Sequence, residues 1–336
     1  MKINKIYNIV RGLFRNKIRF SEFALTNTCS AQCSFCTIWK QKPKVSVDLD
    51  KALKTIDKLA DLHVKFITLT GGEPVIHPHV EDIVQRCTDR KMVSSILVAD
   101  PRLLTENKLN SISEAGIDMI AISLDHYDDA VLYESRKIEG LSSKIADAVS
   151  RINAKRNGEI NSMASILIST FNHTSLEKLF KVTKDMGFKS IAINYPEFSQ
   201  SPVYTLGGEG INLKKEEVAT ALEEVIRLQK KGYNVVNPEL SIKSIISYLR
   251  GTGSKYQCFG GYRVLFVDWF FHVHPCMHLA DNYGDILDME EEDLRKKGCD
   301  ACNMSWYRDL SIYFNGIKSI RPIMGLIGDL GKFLKK

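Results

Sequence analysis

Three cysteines stand close together near the start of the chain, at a spacing that could hold a metal cluster. Cys29, Cys33 and Cys36 follow the pattern C-x3-C-x2-C within eight residues. Three thiolates on one short loop suit an iron–sulfur cube that keeps one iron open for a further ligand. Two other interpretations are three buried apolar cysteines and a zinc knuckle, but a structural zinc site needs four ligands and the nearest histidine is His63. The spacing therefore favours an iron–sulfur cluster.

A glycine-rich turn follows the second predicted strand, about 40 residues after the cysteines. It reads Thr70-Gly71-Gly72-Glu73-Pro74. Because glycine has no Cβ, backbone amides and oxygens of such a turn can approach a ligand closely. On its own the motif is only a weak turn signal. Its position at the end of a strand, after the cysteine loop, predicts that it forms part of the same binding site.

Together the two motifs resemble the radical S-adenosylmethionine (SAM) superfamily, whose signature is C-x3-C-x-aromatic-C, with Phe35 in the aromatic position. The resemblance implies a [4Fe–4S] cluster on the three cysteines and SAM bound at its open iron. It also implies that the turn holds the methionine amino group of SAM. Polar contacts to SAM are expected from Ser123 and Asp125 at the end of the fourth strand, although Asp125 could equally be a helix cap. The cofactor-binding residues so predicted are Phe35, Gly71, Gly72, Glu73, Pro74, Ser123 and Asp125.

The resemblance also implies a reaction. One electron from the reduced cluster enters the sulfonium of SAM, and the resulting 5′-deoxyadenosyl radical removes a hydrogen from an inert substrate C–H bond. In such an enzyme the cofactor supplies the reactivity, while the protein supplies positioning and excludes water. We therefore expect an oxidoreductase or transferase, fed by an electron donor such as flavodoxin or ferredoxin.

A second group of cysteines lies near the other end of the chain. Cys258, Cys276, Cys299 and Cys302 are spaced C-x17-C-x22-C-x2-C. Four thiols form a closed ligand set, either for a second [4Fe–4S] cluster or for structural zinc. The radical SAM resemblance favours the cluster, because many members carry a C-terminal twitch or SPASM module with auxiliary clusters. With no cysteine after Cys302, we expect a twitch-like module with one auxiliary cluster.

The remaining candidate ligands have simpler interpretations. His272, His274 and His278 surround Cys276, and we interpret them as solvated or hydrogen-bonded imidazoles of a hairpin. Cys87 lies within a predicted helix and is expected to be a small buried apolar residue.

The elements that must position these residues alternate along the chain. Strands bounded by amphipathic helices predict β-α units and a parallel sheet. Six units fall short of a closed eight-fold barrel, so the predicted fold is α/β, a partial (β/α)6 barrel of the radical SAM type. The predicted strands are Phe23–Thr26, Phe66–Thr70, Ser95–Val98, Met119–Leu124, Ala164–Ser169 and Ser190–Asn194. The predicted helices are 48–62, 79–91, 105–115, 142–157, 175–187 and 214–231.

After Tyr233 the alternation of strands and amphipathic helices ends. The pattern there predicts a hairpin, Arg263–Asp268 with Phe271–His274, followed by cysteine-bearing loops. This part is short of regular apolar pattern, as is typical of a small α+β iron–sulfur module that needs a metal to fold. The predicted division is a basic N-terminal segment (1–21), the partial barrel (22–236), the twitch-like module (237–316) and a basic C-terminal helix (317–336).

Composition excludes several classes of protein. With 44% hydrophobic and 26% charged residues the chain has material for a large core. The net charge of +6 comes from the two ends, since residues 1–20 carry +6 and residues 317–336 carry +4. The body between them is mildly acidic, which argues against a nucleic-acid partner. No apolar run is long enough for a membrane-spanning helix, and no secretory signal is recognisable, so we predict a cytoplasmic protein.

The sequence patterns at both ends of the chain predict amphipathic helices with basic polar faces. Residues 3–18 would place Lys2, Lys5, Arg11, Arg15 and Arg19 opposite an apolar side, and residues 320–334 show a similar pattern. Either each helix packs on the barrel, or both lie on an anionic membrane at its inner face. The second interpretation points to a membrane lipid or isoprenoid chain as substrate. The alternatives are a peptide, a sugar-like metabolite for dehydrogenation, and a metal-binding protein without enzymatic activity.

Overall fold

The computed structural model describes residues 3–14, 17–196, 211–277, 279, 281–294, 299, 304–320 and 322–324. The six strands of the predicted β-α units are present, each within a few residues of its predicted position, and two further strands form the predicted hairpin. The strands are β1 (Arg19–Thr26), β2 (Val64–Gly71), β3 (Val93–Val98), β4 (Met119–Ser123), β5 (Asn161–Leu167), β6 (Ser190–Asn194), β7 (Val264–Val267) and β8 (Val273–His274).

The strands form one sheet in the order β6-β5-β4-β3-β2-β1-β7-β8. Pairing is parallel from β6 through β7, and β8 alone runs antiparallel, as the second arm of the predicted hairpin. The predicted α/β fold with a parallel sheet is therefore confirmed. β7 extends the sheet beyond β1, so the hairpin is continuous with the sheet. The domain boundaries at 21, 236 and 316 stay predictions.

Helices connect the strands and cover one face of the sheet. All six predicted helices are present, and Asp48 caps the first of them by accepting a hydrogen bond from the Lys51 amide. The pattern did not predict α5, α9 and α10. The helices are α1 (Ile3–Phe14), α2 (Leu49–Asp61), α3 (Val80–Asp89), α4 (Glu106–Glu114), α5 (Asp129–Arg136), α6 (Leu141–Ala154), α7 (Leu176–Asp185), α8 (Lys215–Lys230), α9 (Glu239–Leu249) and α10 (Ser305–Ser311).

The two faces of the sheet differ in chemistry. One face is aliphatic and fully buried, as at Ile67, Ile96, Ile120 and Ile166. The opposite face, here called the inner face, carries some apolar side chains such as Leu97, Met119 and Leu167, but the strand register also places residues with hydroxyl, amide and carboxyl groups together on it. Several of them are half-buried rather than buried, so the space in front of them is open. These residues of the inner face are Glu22, Thr68, Thr70, Ser95, Ser123, Ser165 and Asn194.

Helix α10 shows that the sheet is curled. Tyr307 Oη donates a hydrogen bond to Glu22 Oε2 on β1 over 2.9 Å, and Ser305 Oγ donates one to Asn194 Oδ1 on β6 over 3.0 Å. A flat sheet would hold β1 and β6 about 24 Å apart, since neighbouring strands are about 4.8 Å apart. Two residues of one helix turn can reach both strands only if the sheet curves round α10. The inner face is therefore concave, and α10 lies between β6 and β1 on its concave side.

The N-terminal segment packs on the body of the protein. Ile9 and Leu13 of α1 are buried, and Lys5 Nζ forms a buried ion pair with Asp118 Oδ2 at 2.6 Å. The sequence pattern placed Lys5 on the solvent side, which is wrong because this side chain finds a carboxylate at the start of β4. The predicted helix over 3–18 ends at Phe14, and Arg19 begins β1.

At the other end, the described part of the C-terminal segment carries exposed apolar side chains. Ile317, Ile320 and Met324 are 87%, 61% and 61% exposed. Most of the predicted C-terminal helix, residues 325–336, lies outside the described residues. Within the described part of the chain, no helix is long and apolar enough to cross a membrane.

Candidate active site

The first cysteine group lies on the loop that leaves the carboxyl end of β1. Cys33 is buried, Cys29 and Cys36 are half-buried, and none of the three is in a disulfide. Burial, with smaller contributions from the negative charges of Glu73, Cys33 and Cys36, raises the pKa of Cys29 to about 12. Burial likewise raises the pKa of Cys33 to about 11. Burial thus disfavours ionisation of all three thiols, and the Arg136 guanidinium opposes this effect on the pKa of Cys33 and of Cys36.

The glycine turn lies directly behind this loop. The Gly72 amide donates to Thr26 O over 2.7 Å, and the Glu73 amide donates to Thr28 O over 2.8 Å. A Cβ on Gly71, whose φ is +123°, would lie 2.3 Å from Thr26 O, and one on Gly72 would lie 2.3 Å from Thr28 O. The glycines were predicted to allow close approach to a ligand. In the structure they allow close approach to the backbone that leads into Cys29, so turn and loop form one unit.

Glu73 links this unit to the end of β3. Its side chain is fully buried, and Oε2 accepts hydrogen bonds from the amides of Ala99 and Asp100, each over 2.8 Å. Burial raises its pKa to about 8. The neighbouring Asp100 in turn accepts a hydrogen bond from Ser30 Oγ within the cysteine loop, over 2.9 Å. Pro74 is buried and begins a single 3-10 turn. The Glu73 side chain thus bridges strand ends, and its predicted contact with SAM stays a prediction.

Asp125, at the end of β4, connects to the cysteine loop through an arginine. Its Oδ2 accepts hydrogen bonds from Arg136 on α5, with Nε at 2.8 Å and Nη2 at 2.6 Å, and its Oδ1 accepts from the Leu167 amide. Arg136 Nη1 then lies 3.7 Å from Cys33 Sγ, and the guanidinium stands over the Phe35 ring. Asp125 is not a helix cap, since α5 is capped by Asp128. A direct contact of Asp125 with SAM stays a prediction.

The residues of this loop fit an iron–sulfur cluster. The three thiols lie beside the buried cation of Arg136, which would stabilise their ionised form. Among the described residues, no three His, Cys, Asp or Glu side chains stand as they would round one metal ion. A cube takes its thiolates at separate irons, so its ligand sulfurs lie further apart than those round a single ion.

The described cysteines of the second group also converge. The Cys258 amide donates to Cys299 O over 3.0 Å, and the two residues form an antiparallel bridge. A Cβ on Gly260 would lie 2.8 Å from Pro275 O, which brings the Cys258 turn against Cys276. Cys302 lies outside the described residues. The thiols of Cys258 and Cys276 are close enough to Tyr307 for their charges to raise its pKa, after the larger effects of burial and of Glu22.

The other predicted residues fall as follows. His274 is hydrogen-bonded through both ring nitrogens, Nε2 to Asp268 Oδ2 over 2.9 Å and Nδ1 to Asp281 O over 3.0 Å, as interpreted from the sequence. His272 lies 3.7 Å from the same carboxylate, and His278 lies outside the described residues. Cys87 is fully buried in α3, as predicted.

A row of polar side chains crosses the inner face next to this site. Ser123, predicted to contact SAM, is half-buried at the end of β4 and paired in register with Ser165 on β5. Ser165 Oγ accepts a hydrogen bond from Asn194 Nδ2 on β6 over 3.1 Å. Sequence reasoning missed Asn194, Arg136, Ser30 and Asp100. For Arg136 a signal existed, since Asp128 and the residues after it match a capped helix.

Comparison with known proteins bears on this geometry. Residues 23–183 match the family model of the radical SAM superfamily. The chain is 27% identical over 122 residues to a GTP 3′,8-cyclase of Chlorobaculum tepidum, which is 36% of this chain and 37% of that protein. It is 22% identical over 215 residues to a PqqA peptide cyclase of Granulibacter bethesdensis, 63% of this chain and 56% of that protein. The aligned parts are thus well short of either relative's full length.

Solved structures show the same fold. The crystal structure of Streptococcus suis SuiB bound to S-adenosylmethionine superposes with a TM-score of 0.66 at 12% identity, over 94% of this chain and 72% of that one. A crystal structure of SuiB bound to precursor peptide SuiA gives a TM-score of 0.64 over 94% and 71%. Members of the superfamily are enzymes that use SAM and a [4Fe–4S] cluster. With its cysteine loop, its glycine turn and its parallel sheet, residues 23–183 of this chain match the radical SAM superfamily.

Proposed function

We propose that this protein binds a [4Fe–4S] cluster at Cys29, Cys33 and Cys36, cleaves SAM reductively, and starts a radical reaction on a substrate in front of the inner face. One observation carries the proposal: the three thiols lie on a single loop, fixed by the Gly71–Gly72 turn and next to the Arg136 cation. When bound, such a cluster supplies the electron that splits a C–S bond of SAM. The chain's own residues hold and orient the reactants.

Those residues fix the cysteine loop to the ends of several strands. The glycine turn and Glu73 hold the cysteine loop against β2 and β3, while Asp125 and Arg136 hold it against β4. Arg136 offsets the negative charge of thiolates, which would otherwise repel one another in a buried site. Fixing the loop from several sides restricts its movement, and a reaction that creates a free radical depends on such restricted geometry.

A second, auxiliary [4Fe–4S] cluster at Cys258, Cys276, Cys299 and Cys302 is part of the proposal. It is supported by the convergence of the three described cysteines and by their position beside Tyr307, which reaches Glu22 on the inner face. A cluster held by four protein thiolates has no open iron, so its use would be electron transfer. An electron donor such as flavodoxin or ferredoxin and a cytoplasmic location belong to the same proposal.

The inner face favours a polar, uncharged substrate. At the carboxyl ends of the strands it carries hydroxyl and amide groups at Ser123, Ser165 and Asn194, all half-buried, beside the apolar Leu167. Strands β1–β6 contain two basic residues, and neither lies on this face: Arg19 donates to the carbonyls of Leu62 and Tyr262, and Lys65 alternates with the inner-facing Phe66. Polar groups buried by a hydrocarbon chain would lose their water without replacement, which costs free energy. We therefore place a peptide ahead of a lipid, as one relative's name, PqqA peptide cyclase, also suggests.

A lipid substrate at an anionic membrane remains a second candidate because of one observation, the exposure of Ile317, Ile320 and Met324. The N-terminal helix no longer supports it, since its buried residues pack on the body. The test is co-sedimentation with vesicles of phosphatidylglycerol and phosphatidylcholine. If the candidate is correct, the full chain pellets with the vesicles and an Ile320→Ser/Met324→Ser variant does not. Equal behaviour of the two proteins, or no binding by either, removes this candidate.

The main proposal is tested by anaerobic reconstitution with iron and sulfide, followed by SAM and dithionite. We expect about eight irons per chain when both clusters are present. We also expect 5′-deoxyadenosine to form. Cys33→Ala should abolish that product, while Cys258→Ala should lower the iron content by about half and keep slow SAM cleavage. Cys87→Ala, in the core of α3, is the matched control and should keep both. Reconstituted protein that holds its iron but never cleaves SAM would contradict the proposal.

A further inference from the structure

Two hydroxyl groups fix the orientation of the Asn194 carboxamide. Asn194 is the last residue of β6 and lies half-buried on the inner face. Its Nδ2 donates to Ser165 Oγ over 3.1 Å, and its Oδ1 accepts from Ser305 Oγ over 3.0 Å. Ser165 belongs to the neighbouring strand and Ser305 to α10. The carboxamide is therefore fixed from both sides by elements that are far apart in the sequence.

These two contacts use half of what the side chain can offer. A carboxamide has two N–H donors and two acceptor lone pairs on its oxygen. Within the described part of the chain, one donor and one acceptor are engaged with the serines, which leaves one of each on an amide that is open to the inner side. Because a hydroxyl can donate or accept, the same holds if the amide is turned over. A fixed donor beside a fixed acceptor is the complement of another amide group.

The position of Asn194 connects it to the proposed SAM site. Asn194 pairs in register with Leu167 on β5, whose amide donates to Asp125 Oδ1 over 3.0 Å. The other oxygen of Asp125 binds Arg136, which in turn lies against Cys33. Asn194 is thus on the same rim of strand ends as the cysteine loop, where the reacting C–H bond of a substrate would have to be.

We propose that Asn194 recognises an amide group of the substrate, through its remaining N–H and its remaining carbonyl lone pair, and so selects a peptide. This inference rests on the proposed function and names the substrate class of that site. The absence of basic side chains on the inner face of β1–β6 fits an uncharged amide better than a phosphorylated substrate.

The test compares Asn194→Asp with Asn161→Asp. Aspartate has nearly the same shape and can still accept hydrogen bonds from both serines, but it has no N–H to offer a substrate. Asn161 is the matched control. It lies on the inner face at the start of β5, whereas Asn194 pairs with the end of that strand, and it exchanges hydrogen bonds with Ser190. Iron content and circular dichroism of the reconstituted variants show whether both fold and load normally.

Three pools of possible substrates are supplied separately. They are a tryptic digest of perdeuterated protein, perdeuterated sugars and perdeuterated phospholipid vesicles. Deuterium abstracted from a substrate appears in the 5′-deoxyadenosine and is read by mass spectrometry. We expect transfer from the peptides with the unaltered protein and with Asn161→Asp. With Asn194→Asp we expect a loss of roughly tenfold or more, because a site built to hydrogen-bond an amide discriminates strongly when one partner is missing.

The outcomes separate the two proposals. If the unaltered protein does not cleave SAM at all, the proposed function fails first. If it cleaves SAM but takes deuterium from the sugars, from the lipids or from none of the pools, the amide inference is wrong and the proposed function stands. Equal transfer by Asn194→Asp and the unaltered protein also overturns it. If Asn194→Asp lowers SAM cleavage without any substrate, the residue serves the cofactor, which overturns the inference as well.

Discussion

Arg136 Nη1 and Cys33 Sγ lie 3.7 Å apart, and the same guanidinium is paired with Asp125 in a site from which water is nearly excluded. The arginine comes from α5, about 100 residues beyond the cysteine in the sequence. It is the contact through which the fourth strand acts on the cysteine loop, and it can be tested directly.

Replacing Arg136 by Met should weaken both the fold and the cluster. It leaves the buried carboxylate of Asp125 without its cation, which costs about 3–5 kcal/mol of unfolding free energy. It also removes a hydrogen bond to a cluster ligand, which should lower iron affinity by about 10–100-fold. Urea unfolding and iron retention against a chelator measure the two effects. Arg227→Met is the control, because Arg227 pairs with Glu177 at the surface, where both side chains are exposed. Equal iron retention by the two variants would contradict this role for Arg136.

Replacing Gly72 by Ala should disturb the cysteine loop without touching a cysteine. The new Cβ would lie 2.3 Å from Thr28 O, so turn and loop must move apart. We expect a loss of about 1–3 kcal/mol in the unfolding free energy, as for other overpacked sites. Iron retention should fall with it. Gly251→Ala, where no atom lies within 4 Å of the added Cβ, should cost only about 1–2 kcal/mol from its positive φ and leave iron binding unchanged. Iron binding by Gly72→Ala at the level of that control would disprove the idea.

Asp309 should make the protein without metal less stable as the pH rises. Burial raises its pKa from 3.8 to about 7, against the opposing hydrogen bond from Asn237. The folded state therefore binds this proton more tightly than the unfolded chain does. Its stabilising contribution is complete below about pH 4 and is lost as the pH rises towards 7. Urea unfolding at pH 4.5 and pH 8 should show a smaller decline for Asp309→Asn than for the unaltered protein. Parallel declines would mean that another group is responsible.

Lys5 should matter to stability although it lies in a terminal helix. Lys5→Met leaves the buried Asp118 carboxylate without its cation, and we expect a loss of about 3–5 kcal/mol in the free energy of unfolding. Arg11→Met, on the exposed side of the same helix, should change it by less than about 0.5 kcal/mol. Thermal and urea unfolding of both variants provide the comparison. If the two substitutions have equal effects, α1 does not pack on the body through this pair.

The sequence patterns predicted local structure well and long-range pairing poorly. The strands and helices of the β-α units follow from hydrophobic periodicity, which depends on neighbours along the chain. The parallel pairing of β7 with β1 joins segments about 240 residues apart, and no periodicity names that partner. Helix α5 was missed because it is only eight residues long, too short to show a clear period.

The candidate site shows the same division. Cysteine and glycine motifs carry their chemistry in local spacing, so those residues could be predicted. Ser30, Asp100, Arg136 and Asn194 come together only when strand ends meet at one rim of the sheet. The pairing of Lys5 was misjudged for a related reason, since an amphipathic pattern cannot show that a buried carboxylate lies within reach of a basic side chain.

Helix α10 has a consequence for how the protein is made. It joins β1 to β6 through Tyr307 and Ser305, so the concave side is enclosed only after residue 311 has been synthesised. A growing chain therefore carries the complete cysteine loop of Cys29, Cys33 and Cys36 before the helix that joins β1 to β6 exists.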